Sequence, residues 1–107
     1  MEQLHAGDRL SAAAAEVASQ LPESKVTLLS TSIEGAAIAA VCAAQHPMST
    51  WRLVELAWQP VVVSDAPIVF VEPVEPGRAW RSAVHGRYPD AAVIIAAAAH
   101  DTLLHAA

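Results

Sequence analysis

The sequence predicts an α/β domain of three layers: a mostly parallel sheet of four to five strands with helices on both faces. Three observations predict it. Short runs that are apolar at every position, such as Ile68-Val69-Phe70-Val71, read as strands buried on both sides. Ala-rich stretches with apolar residues three and four apart lie between such runs, and that spacing belongs to helices. Strands that alternate with helices along a chain fold into a parallel sheet joined by right-handed crossovers. At 107 residues the chain has the size of one domain, so residues 1–107 are expected to share a single core.

Taken in order, residues 4–21 carry Leu10, Ala14, Val17 and Leu21 on one stripe, a helix that Pro22 ends. Residues 25–30 are β-branched and Leu-rich, a buried strand. Ser30-Thr31-Ser32 then precedes Ile33-Glu34-Gly35, a hydroxyl-capped helix start, and the helix is expected to reach about Gln45 before His46-Pro47. Residues 50–58 read as a second strand, Val61-Val62-Val63 as a short return strand, and Asp65-Ala66-Pro67 as a turn. Ile68 to Val71 is the cleanest strand. A loop with Pro73, Pro76 and Gly77 follows, then a helix over residues 78–87. After the break at Tyr88-Pro89-Asp90, residues 91–98 form the last buried strand, and residues 101–107 form a tail.

Composition narrows the function. Apolar residues make up 54% and charged residues 16%, too greasy for a disordered chain. Much of that apolar content is Ala, which buries little area per residue, so a homo-oligomer is expected to complete the core. The net charge is -5, and the six cations (Arg9, Lys25, Arg52, Arg78, Arg81, Arg87) are scattered. No basic stripe is present to neutralise phosphates, so neither nucleic acid nor a membrane surface is an expected partner. Cys42 is the single cysteine and reads as a small buried hydrophobe. The start, Met1-Glu2-Gln3-Leu4-His5, lacks the pattern of a signal peptide, and no apolar run approaches a membrane span, so the expected location is cytoplasmic.

In parallel sheets ligands bind beyond the carboxyl ends of strands, where helix N-termini present free amides. Two loops qualify. In the first, the hydroxyls and amides of Ser30, Thr31 and Ser32 could hold an anion, with Gly35 admitting a close approach. A plain helix cap accounts for the same residues. In the second, Glu72, Glu75, Gly77 and Arg78 follow the best strand, and the two acids could meet sugar hydroxyls or a metal. A rigid turn with acids beside a helix N-terminus is the structural alternative. The five histidines are too dispersed for a local metal motif, and no Cys pair supports zinc. Asp101 and His105 could share a helix face, although a polar tail explains them. Trp51, Trp58 and Trp80 suit core or interface anchors, and Trp80 lies close enough to the second loop for a stacking role.

The segment Ile68-Val69-Phe70-Val71-Glu72-Pro73-Val74-Glu75-Pro76-Gly77-Arg78-Ala79 resembles the strand, acidic pair, short loop and helix of the type I phosphoribosyltransferases. Residues 26–39 are similar to that family's first core strand, pyrophosphate loop and helix, and residues 90–98 to its following strand. The resemblance covers residues 26–98 as a pattern of elements. It implies a pocket for a phosphorylated ribose, lined by Ser30, Thr31, Ser32, Gly35, Glu72, Glu75, Gly77 and Arg78. The pattern is altered at Pro73, which replaces the second acid, and at Pro76, which replaces a hydroxyl residue. The loop is also one residue short.

The resemblance therefore implies a phosphoribosyltransferase-like domain that is catalytically impaired. Such a domain would bind a phosphorylated small molecule or serve as a regulatory or assembly subunit, with no assigned catalytic residue, cofactor or metal. Two alternatives stand beside it. One is an active, diverged transferase using Glu72 and Glu75 on the ribose hydroxyls, directly or through Mg²⁺. The other is a non-enzymatic homodimeric interaction module. All readings that use the pocket require the segments ending at Ser30 and Val71 to lie side by side and parallel.

Overall fold

The structure is a computed structural model and describes residues 6–96. Seven elements follow one another: α1 (Ala6–Ala18), β1 (Val26–Ser30), α2 (Ile33–Gln45), β2 (Ser49–Leu53), β3 (Ile68–Glu72), α3 (Arg78–Arg87) and β4 (Ala92–Ile95). The four strands form one sheet in the order β2-β1-β3-β4, and every neighbouring pair is parallel. The three-layer α/β expectation holds, with four strands. No helix among the described residues is long and apolar enough to cross a membrane.

The strand order explains the layering. From β1 the chain steps outward to β2, while from β3 it steps outward in the opposite direction to β4. Right-handed crossovers in opposite directions put their helices on opposite faces. Side-chain packing agrees. Leu28, Val69, Val71 and Ile94 face a core shared with Ala13, Ala14 and Val17 of α1 and Ile38, Ala39 and Cys42 of α2. Leu29 and Phe70 face the other way, onto Trp80, Val84 and Tyr88 at α3. Phe70 meets Trp80 and Tyr88 edge to face, at ring centroid distances of 5.9 and 5.2 Å. Such aromatic pairs add about 0.5–1.5 kcal/mol each beyond the area they bury.

The Ala content of α1 and α2 serves the first core. Small side chains let the two helices lie close to each other and to the sheet, and Ala13, Ala14 and Ala39 are fully buried there. Cys42 is buried in the same layer, as its setting in the sequence implied.

Two expected elements differ. Residues 54–58 do not extend β2. The amide of Val54 donates to Ser30 O at 2.8 Å, and β1 ends there, so the strand has no partner beyond it. The chain instead closes a turn, with Gln59 N–H donating to Glu55 O and Gln59 Oε1 accepting from Glu55 N–H. Val61-Val62-Val63 is not a return strand either. Its Val62 N–H donates to the Tyr88 hydroxyl and its side chain packs on the Phe70 cluster, so the segment follows the α3 face and does not turn back along the open edge of β2. Residues 54–67 run across the α3 face, where Val54, Leu56 and Val62 pack on Leu29 and Phe70. The segment is pinned by Arg87, whose guanidinium donates to Leu56 O and Gln59 O, and by the Tyr88 hydroxyl, which accepts from Val62 N–H at 2.8 Å. Lys25 pairs with Asp65 at 3.2 Å on the surface nearby. The residues expected in the first helix before Ala6, in the last strand beyond Ala96 and in the tail with Asp101 and His105 lie outside the described residues.

Candidate functional site

The carboxyl ends of β1 and β3 are adjacent, and the chain reverses its direction of travel across the sheet between them. That is the switch point at which α/β sheets open a crevice. The register pairs Leu29 with Phe70, so the next residues along bring Ser30 abreast of Val71 and Thr31 abreast of Glu72. The required parallel adjacency is therefore present, and the two predicted loops meet.

What they form is a seat already filled by the chain itself. Glu72 is only 1% exposed. Its Oε2 accepts from the Thr31 amide at 2.6 Å and from the Thr31 hydroxyl at 2.8 Å, and its Oε1 accepts from the Ser32 hydroxyl at 2.5 Å. Ser32 caps α2 as well, its Oγ accepting from Gly35 N–H at 3.0 Å. The Ser30 hydroxyl donates to Val71 O at 2.8 Å. The Trp80 indole N–H donates to Thr31 Oγ1 at 2.8 Å, so that hydroxyl accepts from the ring while it donates to the acid. A carboxylate at a helix N-terminus, held by charge-assisted hydrogen bonds, is a favourable arrangement on both counts.

Gly35 belongs to this closure. A Cβ there would lie 2.5 Å from Val71 O, 2.6 Å from Glu72 Oε1 and 3.0 Å from Ser32 Oγ. The absent side chain lets α2 approach the end of β3, and the space is taken by protein atoms. The capped-helix reading of this loop thus accounts for Ser32 and Gly35 as they stand.

The remaining predicted residues sit outside the crevice. Glu75 is about half exposed and forms a two-pronged pair with Arg81, with Nε at 3.0 and 3.1 Å and Nη2 at 2.6 Å from its oxygens. Hydrogen bonding from Arg81 holds the Glu75 carboxyl below its ordinary range. Gly77 has φ 118°, a left-handed conformation that suits glycine, and it turns the chain into α3. Arg78 opens α3 and is exposed. Sequence reasoning missed the link from Trp80 to Thr31. Its one signal was the placement of Trp80 shortly after the second loop.

A separate cavity of about 480 Å³ opens at the other end of the sheet. Val62, Pro67, Ile68, Tyr88 and Ala91 line it, at the amino ends of β3 and β4, far along the strands from the switch point. Among the described residues no group of three or more His, Cys, Asp or Glu is placed to hold a metal ion. Comparison of the chain with protein-family models, with curated proteins and with solved structures gives no match.

Proposed function

We propose that this chain is a phosphoribosyltransferase-like domain that works as an assembly subunit and carries out no transfer reaction. The observation that supports the reading is the seat of Glu72. A pocket for pyrophosphate or a ribose phosphate needs its hydroxyls and loop amide free. Here the Thr31 amide and the hydroxyls of Thr31 and Ser32 all bond one internal carboxylate. An incoming phosphate would have to expel that carboxylate into the same crevice, where two anions would then repel. The active alternative needs Glu72 and Glu75 to converge on a sugar. Glu72 faces inward, and Glu75 is engaged with Arg81 at the surface.

Exposed apolar side chains support the assembly half of the reading. Ile33, Met48, Trp51, Leu53 and Trp58 are all at least 44% exposed. Calorimetric titration with phosphoribosyl pyrophosphate, pyrophosphate and inorganic phosphate, each with and without Mg²⁺, tests the first half. No heat of binding and no rise in melting temperature are expected. Saturable binding that Thr31→Val abolishes would replace this reading with that of a phosphate-ligand domain.

A further inference from the structure

We infer that β2 is the self-association edge. Two copies join β2 to β2 in antiparallel fashion about a two-fold axis through Trp51, giving one continuous eight-stranded sheet. This rests on the assembly reading and names its partner as a second copy of the chain.

Hydrogen bonding fixes which backbone groups are free. Val54 N–H donates to Ser30 O, and Met48 O accepts from Val26 N–H, so the even-numbered residues of this strand turn their amides and carbonyls toward β1. A strand alternates, so the amides and carbonyls of Trp51 and Leu53 point away from β1, to the open side. Among the described residues no other strand lies there. Trp51 is the middle residue of β2. Under a two-fold axis it becomes a hydrogen-bonded pair with its own copy, exchanging both N–H···O=C bonds. Leu53 N–H then reaches the Ser49 carbonyl of the second copy. The Ser49 amide needs nothing from the partner, because it already donates to His46 O at 2.9 Å. The Trp51 pair and the two bonds from Leu53 N–H to Ser49 O are then made, while the Leu53 carbonyl stays with water.

The side chains fit the same axis. Trp51 pairs in register with Leu28, which lies in the α1 and α2 core, so Trp51 and Leu53 project on the α2 face at the rim of the sheet. They are 44% and 48% exposed. Dimerisation stacks Trp51 against its copy, with Leu53 beside it. Trp51 and Leu53 give this edge an apolar contact that the strand's own hydrogen bonds extend. Charge does not oppose the contact locally. The chain carries a net charge of -5, yet no Asp or Glu occurs between Glu34 and Glu55. Arg52 comes opposite Thr50 of the second copy.

Light scattering with site-directed cross-linking tests the geometry. The wild-type chain is expected at twice its own mass. Trp51→Cys is expected to form a disulfide dimer on mild oxidation, since opposed Cα atoms in such a pair lie ~5.5 Å apart, within disulfide range. Leu53→Cys is expected to give none, because its copy lies several residues away along the strand. Trp51→Pro removes an outward N–H that the monomer does not use, and is expected to give a folded monomer by circular dichroism and mass. A wild-type monomer overturns the proposal. So does a dimer that Trp51→Cys fails to cross-link and Trp51→Pro leaves intact, and in that case the assembly reading still stands, because the chain still self-associates through another face.

Discussion

Removing the carboxylate of Glu72 tests the account of the crevice directly. Glu72→Ala leaves three donors without their acceptor: the Thr31 amide, the Thr31 hydroxyl and the Ser32 hydroxyl. A hydrogen bond to a charged group contributes about 1.5–3 kcal/mol, so three give an upper limit of roughly 4.5–9 kcal/mol. The two hydroxyls can rotate toward water that enters the space, whereas the Thr31 amide direction is set by the chain. Discounting the hydroxyls leaves one such bond, about 1.5–3 kcal/mol. For a domain of this size that lowers the melting temperature by about 6–24 °C. Urea unfolding followed by circular dichroism measures it, and an unchanged m-value shows that the native state is retained.

Two companion measurements separate the seat from simple loss of packing. In a Thr31→Val, Ser32→Ala background the Thr31 amide still donates to the acid, so Glu72→Ala should cost nearly what it costs in the wild type, which a double-mutant cycle reads. Formate or acetate should raise the melting temperature of Glu72→Ala and leave the wild type unmoved, because a free carboxylate can enter only the vacated seat. Binding at a hundredfold excess over its Kd restores about 2.7 kcal/mol. A loss under 1 kcal/mol for Glu72→Ala, with no rise in melting temperature on adding formate or acetate, refutes the argument.

Gly35→Ala should destabilise by about 1–3 kcal/mol in thermal unfolding, because the new methyl group meets the Val71 carbonyl and the Glu72 carboxylate. Gly86→Ala, in α3 where a Cβ meets nothing within 4 Å, should instead stabilise by ~0.5–1 kcal/mol. Cys42 is buried and its thiol is pushed above the ordinary range by desolvation, so it should resist a thiol reagent such as dithionitrobenzoate until the protein unfolds. The lowered Glu75 carboxyl contributes stability that is present above its unfolded pKa of about 4.3 and is lost as pH falls through the lower folded value. Arg81→Ala should therefore flatten the acid limb of the stability-pH curve below about pH 4.5, while near neutrality the loss of this solvent-screened pair changes stability little.

Most of the fold was legible because local signals agreed. The all-apolar run at Ile68 to Val71, the hydroxyl cap at Ser32 and the Gly77 turn each specify an element through its own residues. The stretch from Val54 to Val63 was misjudged because β-propensity cannot reveal what a segment packs against. There the apolar contacts over Phe70 and the hydrogen bonds with Arg87 and Tyr88 decided, and the segment became a pinned crossing instead of a strand. Of the site, the positions were legible and the engagements were not. Ser30, Thr31, Ser32, Gly35 and Glu72 do come together, whereas Glu75 turns to Arg81.

What decides between a ligand seat and a sealed one here is register. Strand β3 could present the same residues to β1 one position earlier or later, and every side chain would then change face. With Leu29 beside Phe70, Glu72 falls level with Thr31, at the turn whose amide and hydroxyls need an acceptor. A slip of one residue would set Pro73 there, with no acceptor side chain, and would turn Phe70 out of its aromatic cluster with Trp80 and Tyr88. The packing of Phe70 on the α3 face and the seating of Glu72 at the end of the same strand thus select the same register. The closure of the crevice is in this sense coupled to the core. An acid at the last residue of β3 fills the anion seat because the register that buries the phenylalanine two residues earlier leaves it level with that seat.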